Sequence, residues 1–301
     1  FAKILGIEAF LNRNTYLLRN VFKYPCKNFP ECRIQFCFAQ EAREFILFGG
    51  YCSSRNADIW RFDPPNNEWN IIHYHGVPLE NRYGHTGVIR YRHLYIFGGI
   101  FFKTKILGNL EIFNLDTKKW INPKMSRHEY SIPLRKNHIA CSIGNHMFVH
   151  GGIDENENIL NDTYLLSYKL LKWFPINYLE KFKIPYLAFH NCCLVIPEHI
   201  QNNARFSIYK YPDDFKESNE RKIKEMVLYI FGGKISHIDI LNKNLYVLKI
   251  GKKALQWTIV KTNGFAPCPR YGFSMSYYES GNFVVIHGGR DASPLNDPFL
   301  L

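Results

Sequence analysis

The residues best placed to do chemistry recur in pairs three apart: Arg33/Phe36, Arg82/His85, Arg135/His138 and Arg270/Phe273, with Leu187/His190 lacking the arginine. A guanidinium offers a planar fork of donors suited to carboxylates. The histidines would interest a metal, but two copies of the pattern carry phenylalanine there, and phenylalanine cannot ligate. That exchange predicts packed core histidines bonded to backbone groups. Tyr83 and Tyr271 directly follow an arginine and add flat amphipathic surface. The eight cysteines form no CxxC pair and share no zinc spacing with histidine, so they read as reduced thiols of a cytosolic protein. There is no G-x-S-x-G elbow, HExxH or P-loop, and no marked set of copper ligands. The expectation is a non-enzyme with no catalytic residue, cofactor or metal.

The elements that position these residues repeat. A short apolar run ending in Gly-Gly occurs five times, at Phe45–Gly50, Leu94–Gly99, Met147–Gly152, Val227–Gly233 and Phe283–Gly289. The glycine pairs stand 49, 53, 81 and 56 residues apart, and Ile4-Leu5-Gly6 reads as a degraded copy 44 residues before Gly50. Each pair precedes an Asn or Asp and an apolar or aromatic segment: Asp58–Trp60, Asn109–Phe113, Asp162–Tyr164, Asn244–Tyr246 and Asn296–Phe299. Asn14-Thr15-Tyr16-Leu17-Leu18 matches Asp162-Thr163-Tyr164-Leu165-Leu166 closely. Trp69, Trp120, Trp173 and Trp257 close four units, 19 to 24 residues after the second glycine. β-branched and aromatic runs broken by turn residues predict small antiparallel sheets. A lone sheet cannot bury both faces, whereas sheets stacked in a ring do.

The joint recurrence of arginine, Gly-Gly, Asn/Asp-aromatic and tryptophan resembles the Kelch repeat over essentially the whole chain. The resemblance implies an all-β fold: a Kelch-type β-propeller of six four-stranded blades with the terminal blades incomplete. With strands labelled A to D, residues 1–29 read as a partial first blade, 30–265 as four complete blades and 266–301 as a partial last one. A five-bladed ring and a larger propeller are the alternatives. In the fourth complete blade Leu187 and Gly232 stand 45 residues apart, against 16 in three others, which places a polar insertion at about 197–225 between strands A and B.

In propellers of this kind the D–A and B–C loops share one face and hold ligand contacts, and some members use the arginine that opens strand A to bind acidic side chains. Carried over, the partner-binding candidates are Arg33, Arg82, Tyr83, Arg135, Arg270 and Tyr271, joined from the B–C loops by Arg55, Phe101 and Phe102. Leu187 breaks the arginine circuit. The opposing expectation is that the arginines pin turns to backbone carbonyls. The net charge of +12 favours acidic peptides or protein surfaces such as a cytoskeletal polymer, but its dispersal argues against nucleic acid. No apolar run is long enough to span a membrane. The functional expectation is a non-catalytic interaction scaffold or adaptor in the cytoplasm, with a cytoskeletal or axonemal setting among the candidates; the alternative is the targeting or substrate-receptor propeller of a larger phosphatase or ubiquitin-ligase protein, and a Kelch-fold enzyme ranks last.

Overall fold

The computed structural model describes residues 28–41, 44–52, 57–75, 79–102, 104–121, 123, 132–176, 185–195, 226–250, 255–278 and 282–301. They build five blades of antiparallel strands. The first comprises β1 (Cys37–Glu41), β2 (Glu44–Phe48), β3 (Ile59–Asp63) and β4 (Glu68–Ile71). The second comprises β5 (Thr86–Arg90), β6 (His93–Phe97), β9 (Leu110–Asn114) and β10 (Lys119–Ile121), with a hairpin of β7 (Ile100–Phe101) and β8 (Lys105–Ile106) between its B and C strands. The third comprises β11 (Ile139–Ile143), β12 (His146–His150), β13 (Thr163–Ser167) and β14 (Lys172–Pro175). The fourth comprises β15 (Asn191–Val195), β16 (Met226–Phe231), β17 (Leu245–Ile250) and β18 (Leu255–Val260). The last has three described strands, β19 (Ser274–Tyr278), β20 (Phe283–His287) and β21 (Pro298–Leu300).

Each expected A-to-D strand of the complete blades is present in the expected order, and the closing tryptophans fall on β4, β10, β14 and β18. The predicted first partial blade and the 197–225 insertion lie outside the described residues, apart from Asn28 and Phe29. Among the described residues no helix is long and apolar enough to cross a membrane.

One packing unit explains why the repeat has the letters it has. The residue ending strand B sits between two rings of the next blade. Phe48 meets His85 at 5.4 Å and Trp120 at 5.6 Å; Phe97 meets His138 at 5.3 Å and Trp173 at 4.9 Å. His150 meets His190 at 5.5 Å and Trp257 at 5.1 Å, and Phe231 meets Phe273 at 5.7 Å. These are edge or tilted contacts, the arrangement favoured by ring quadrupoles. The tryptophan is thus a wedge between blades.

The glycine pair that follows takes positive φ, as at Gly98 (65°) and Gly99 (96°). The second glycine donates its N–H to the backbone carbonyl opening the next blade: Gly50 to Arg82 and Gly99 to Arg135 at 2.9 Å, Gly152 to Leu187 and Gly233 to Arg270 at 2.8 Å. The first glycine lies so close to that carbonyl that a Cβ on Gly151 would stand 2.3 Å from the Leu187 oxygen. Two adjacent glycines are therefore required by backbone angle and by contact together.

Gly151→Ala is expected to force the third and fourth blades apart and cost more than about 2 kcal/mol. A thermal-unfolding midpoint equal to that of the parent chain would refute this account of the junction.

Candidate binding face at the channel mouth

Strand A of each blade is preceded by a residue that forms a single-residue bridge to the position just after Gly-Gly: Ile34 to Tyr51, Tyr83 to Ile100, Lys136 to Ile153, Ala188 to Lys234 and Tyr271 to Arg290. The next residue in each blade is left-handed, with φ of 55° at Gln35, 65° at Gly84, 55° at Asn137, 57° at Phe189 and 65° at Gly272. Their backbones join around the centre: Gly84 N–H donates to Gln35 at 2.8 Å, Asn137 to Gly84 at 2.7 Å and Phe189 to Asn137 at 2.9 Å. This belt brings D–A and B–C loops of successive blades to one face.

Within the belt lies a cavity of about 380 Å³ lined by residues of four blades. Lys136 and Lys234 contribute its cations, Tyr83 and Phe189 its aromatic walls, and Ile100 and Ile153 its apolar floor. Lys136 is paired with Glu157 at 2.6 Å, and Lys234 is paired with Asp239. Both carboxylates belong to the B–C loop of the lysine's own blade and are exposed, while both lysine side chains are largely covered. Lys234 also stands 4.7 Å over the Tyr271 ring and 5.4 Å over Phe189. Around the rim, Phe102 is 58% and Ile238 78% exposed, with Ile235, Ile240 and Tyr51 also exposed.

The arginines expected at this mouth are elsewhere. Arg33, Arg135 and Arg270 grip the carboxylate that opens strand C in a two-pronged pair: Asp58 at 2.7 and 3.0 Å, Asp162 at 2.6 and 2.8 Å, and Asp297 at 2.6 and 2.8 Å. Each also donates to the first glycine's carbonyl, at 3.2 Å for Gly49, 3.0 Å for Gly151 and 3.1 Å for Gly288. Arg82 donates to Gly98 and Asn109 at 3.3 Å, and Glu111, two residues on, brings the missing carboxylate to 4.0 Å. Burial pulls the Arg82 value down to about 10. The side chains of Arg33, Arg82, Arg135 and Arg270 are all nearly or fully buried, so their forks are spent on their own blades. This corrects the partner-binding expectation for all four, and the opposing expectation of turn-pinning holds instead.

In the fourth blade, where Leu187 replaces arginine, the buried Asn242 side chain donates to the Gly232 carbonyl at 3.2 Å and takes over that duty. The interrupted arginine circuit is therefore a structural substitution.

The other predicted residues divide. Tyr83 lines the cavity, 5.3 Å from Tyr51. Tyr271 borders it by holding Lys234 and by packing 5.8 Å from Phe189. Phe101 and Phe102 lie on the β7–β8 hairpin with rings 4.4 Å apart, Phe101 half-buried and Phe102 outermost. Arg55 lies outside the described residues. Sequence reasoning missed Lys136 and Phe189. The signal was available: Lys136 holds the position after an arginine that singled out Tyr83 and Tyr271, and Phe189 is one step further.

The histidines are packed, as expected, but the expected bonds to backbone groups are not found among the described residues for the ring nitrogens of His85 and His190. His85, His138 and His190 are buried against the preceding blade, and His138 reaches Thr86 at 2.8 Å. Burial, aided by the neighbouring Arg82 charge, pushes His85 down to about 3, and burial lowers His150 to about 4. Burial likewise holds His138 and His190 well below the usual range.

Stacked antiparallel blades joined by Gly-Gly, with an arginine–aspartate clasp in three of the five described repeats, define a Kelch β-propeller. A model of the KLHDC2/KLHL20/DRC7 Kelch-repeats domain matches residues 35–201, and the chain belongs to the Kelch-repeat family. The chain is 24% identical over 305 residues to human Kelch domain-containing protein 3, covering 84% of this chain and 77% of that one. It is 22% identical over 245 residues to the host cell factor homolog hcf-1 of Caenorhabditis elegans, covering 77% of this chain and 28% of that one. Beta-scruin of Limulus polyphemus is 25% identical over 135 residues, covering 42% and 14%. Propellers of this family generally mediate protein–protein interactions and are typically non-catalytic.

Two outcomes follow from the buried groups. Arg135→Leu removes the clasp in a blade that has Leu160 where the fourth has Asn242, and is expected to cost about 2–4 kcal/mol. Adding Leu160→Asn should restore part of this in chemical denaturation, and no loss in the single variant would undo the structural assignment. The second outcome concerns pH. The folded His85 value lies below the unfolded one of about 6.5, so below that pH the unfolded chain takes up a proton that the folded chain refuses. Stability should fall as pH drops from about 6.5 toward 3, by about 1.4 kcal/mol per pH unit for each excluded ring. His85→Phe, which copies Phe273, should flatten the decline measured between pH 7 and 5.

Proposed function

We propose that this propeller is a non-catalytic adaptor that docks protein partners on the mouth face, taking an acidic side chain into the cavity between Lys136 and Lys234. A partner carboxylate would replace Glu157 or Asp239, exchanging an exposed surface pair for one shielded from water. The apolar rim of Phe102, Ile235, Ile238 and Ile240 would cover the partner's flanking residues.

The observation that carries this reading is Phe189. Its backbone is left-handed, a conformation that costs a bulky residue about 1–3 kcal/mol. The equivalent positions in the second and last blades hold Gly84 and Gly272, which relieve that cost. Here a large ring is retained against the preference of the backbone, and it stands in the cavity wall beside Lys234. Cys37 and Cys193 are buried as small apolar groups, which suits a cytoplasmic setting. A cytoskeletal or axonemal partner suits the positive field.

The test is a peptide array probed with the full chain and with two variants. Lys136→Glu combined with Lys234→Glu should abolish the capture of acidic peptides. Phe189→Gly should weaken capture while the melting temperature stays close to that of the parent, because released strain offsets lost packing. Capture of the same peptides by all three proteins would reject the mouth as the site.

A further inference from the structure

Charge is not spread evenly over the bridged positions of the mouth belt. The first two blades place Ile34, Tyr51, Tyr83 and Ile100 there, whereas the last three place Lys136, Lys234 and Arg290. The carboxylates that pair with Lys136 and Lys234 come from their own blades. Arg290 differs. The next residue, Asp291, is also a carboxylate, but it accepts from the Ser293 N–H at 2.9 Å. Among the described residues the exposed Arg290 guanidinium has no ion pair and no side-chain hydrogen bond, and it stands 6.0 Å from the centre of the Tyr271 ring. The Lys234 ammonium stands 4.7 Å from that same centre. Tyr271 therefore links the cavity to a cation outside it, and the two cationic groups can be no further apart than those two distances together. An arginine held on an aromatic ring with its fork of donors unspent is suited to a carboxylate.

We propose that Arg290, seated on Tyr271, is a second acid-binding subsite that fixes the direction in which a partner segment crosses the mouth. The inference rests on the docking of an acidic side chain between Lys136 and Lys234. In an extended segment, side chains two residues apart point the same way and stand about 7 Å apart. That span lies within the separation allowed between Lys234 and Arg290, so an acidic residue two places from the first reaches the guanidinium. On the other side of the first acid the segment meets Tyr83 and Ile100, where an apolar residue fits and a charge does not. The partner is thus an extended segment with an apolar, an acidic and a second acidic residue at alternate positions. Charge complementarity selects this occupant. Two main-chain bonds between Arg290 and Tyr271, at 2.9 and 3.0 Å, hold the position whatever its side chain.

The test measures the binding of four synthetic peptides to the full chain at low salt. All carry a central glutamate, with leucine or glutamate two residues before it and two residues after it. One of the two peptides with a single flanking glutamate should bind about three- to fivefold more tightly than the peptide with leucine on both flanks. A glutamate on both flanks should bind no more tightly than that better peptide. Arg290→Leu should erase the advantage and leave binding of the leucine-flanked peptide unchanged. In Arg290→Glu, lysine should become the preferred residue at the favoured flank. Equal binding of the two singly flanked peptides, or a preference that survives Arg290→Leu, would overturn the second subsite and leave the first standing. Failure of all four peptides to bind the parent chain would reject the mouth docking itself, and the second subsite with it.

Discussion

A single hydrogen bond, from the second glycine of one blade to the carbonyl that opens the next, sets the spacing of the propeller. The glycine pair permits the approach, because any side chain there would collide with that carbonyl. Close approach brings the ring at the end of strand B between the histidine or phenylalanine and the tryptophan of its neighbour. The arginine whose carbonyl accepts the bond turns its own side chain inward, onto the first glycine's carbonyl and the aspartate of strand C. Backbone and side chain of one residue thus serve two different blades. Geometry here is fixed by exclusion as much as by attraction.

That economy explains how buried charge is tolerated. A guanidinium removed from water is costly unless its donors are matched. Three blades meet the cost with aspartate, the second moves the carboxylate two residues along to Glu111, and the fourth replaces the cation with the neutral Asn242. The shared requirement is a donor to the first glycine's carbonyl, and charge is one of several ways of supplying it.

Much of the architecture was legible in the sequence because each recurring letter answers to a repeated steric or packing demand. Gly-Gly, the tryptophan and the strand order could be read in this way, and the exchange of histidine with phenylalanine correctly marked a core position. The arginines misled for the same reason: recurrence marks what every blade needs, and a binding site is where blades differ. Lys136 and Phe189 carry no repeated letter, so nothing in the period drew attention to them. Their importance depends on which loops converge and on a backbone angle, and neither is written in local spacing. The aspartates that answer the arginines lie 25 to 27 residues away, beyond any local motif.

At the belt around the channel, position is guaranteed by main-chain bonds alone, through the single-residue bridges and the left-handed links between blades. The side chains there are isoleucine, tyrosine, lysine, alanine and tyrosine in successive blades, with no shared chemistry. Display is therefore separated from support. Ala188 is fully buried against Ile153 and Ile159, whereas an exchange at Ile34, Tyr83, Lys136 or Tyr271 would change what the face presents and leave intact the bonds that hold it open. At those four places a lineage could change what the face presents by single substitutions, without passing through an unstable ancestor.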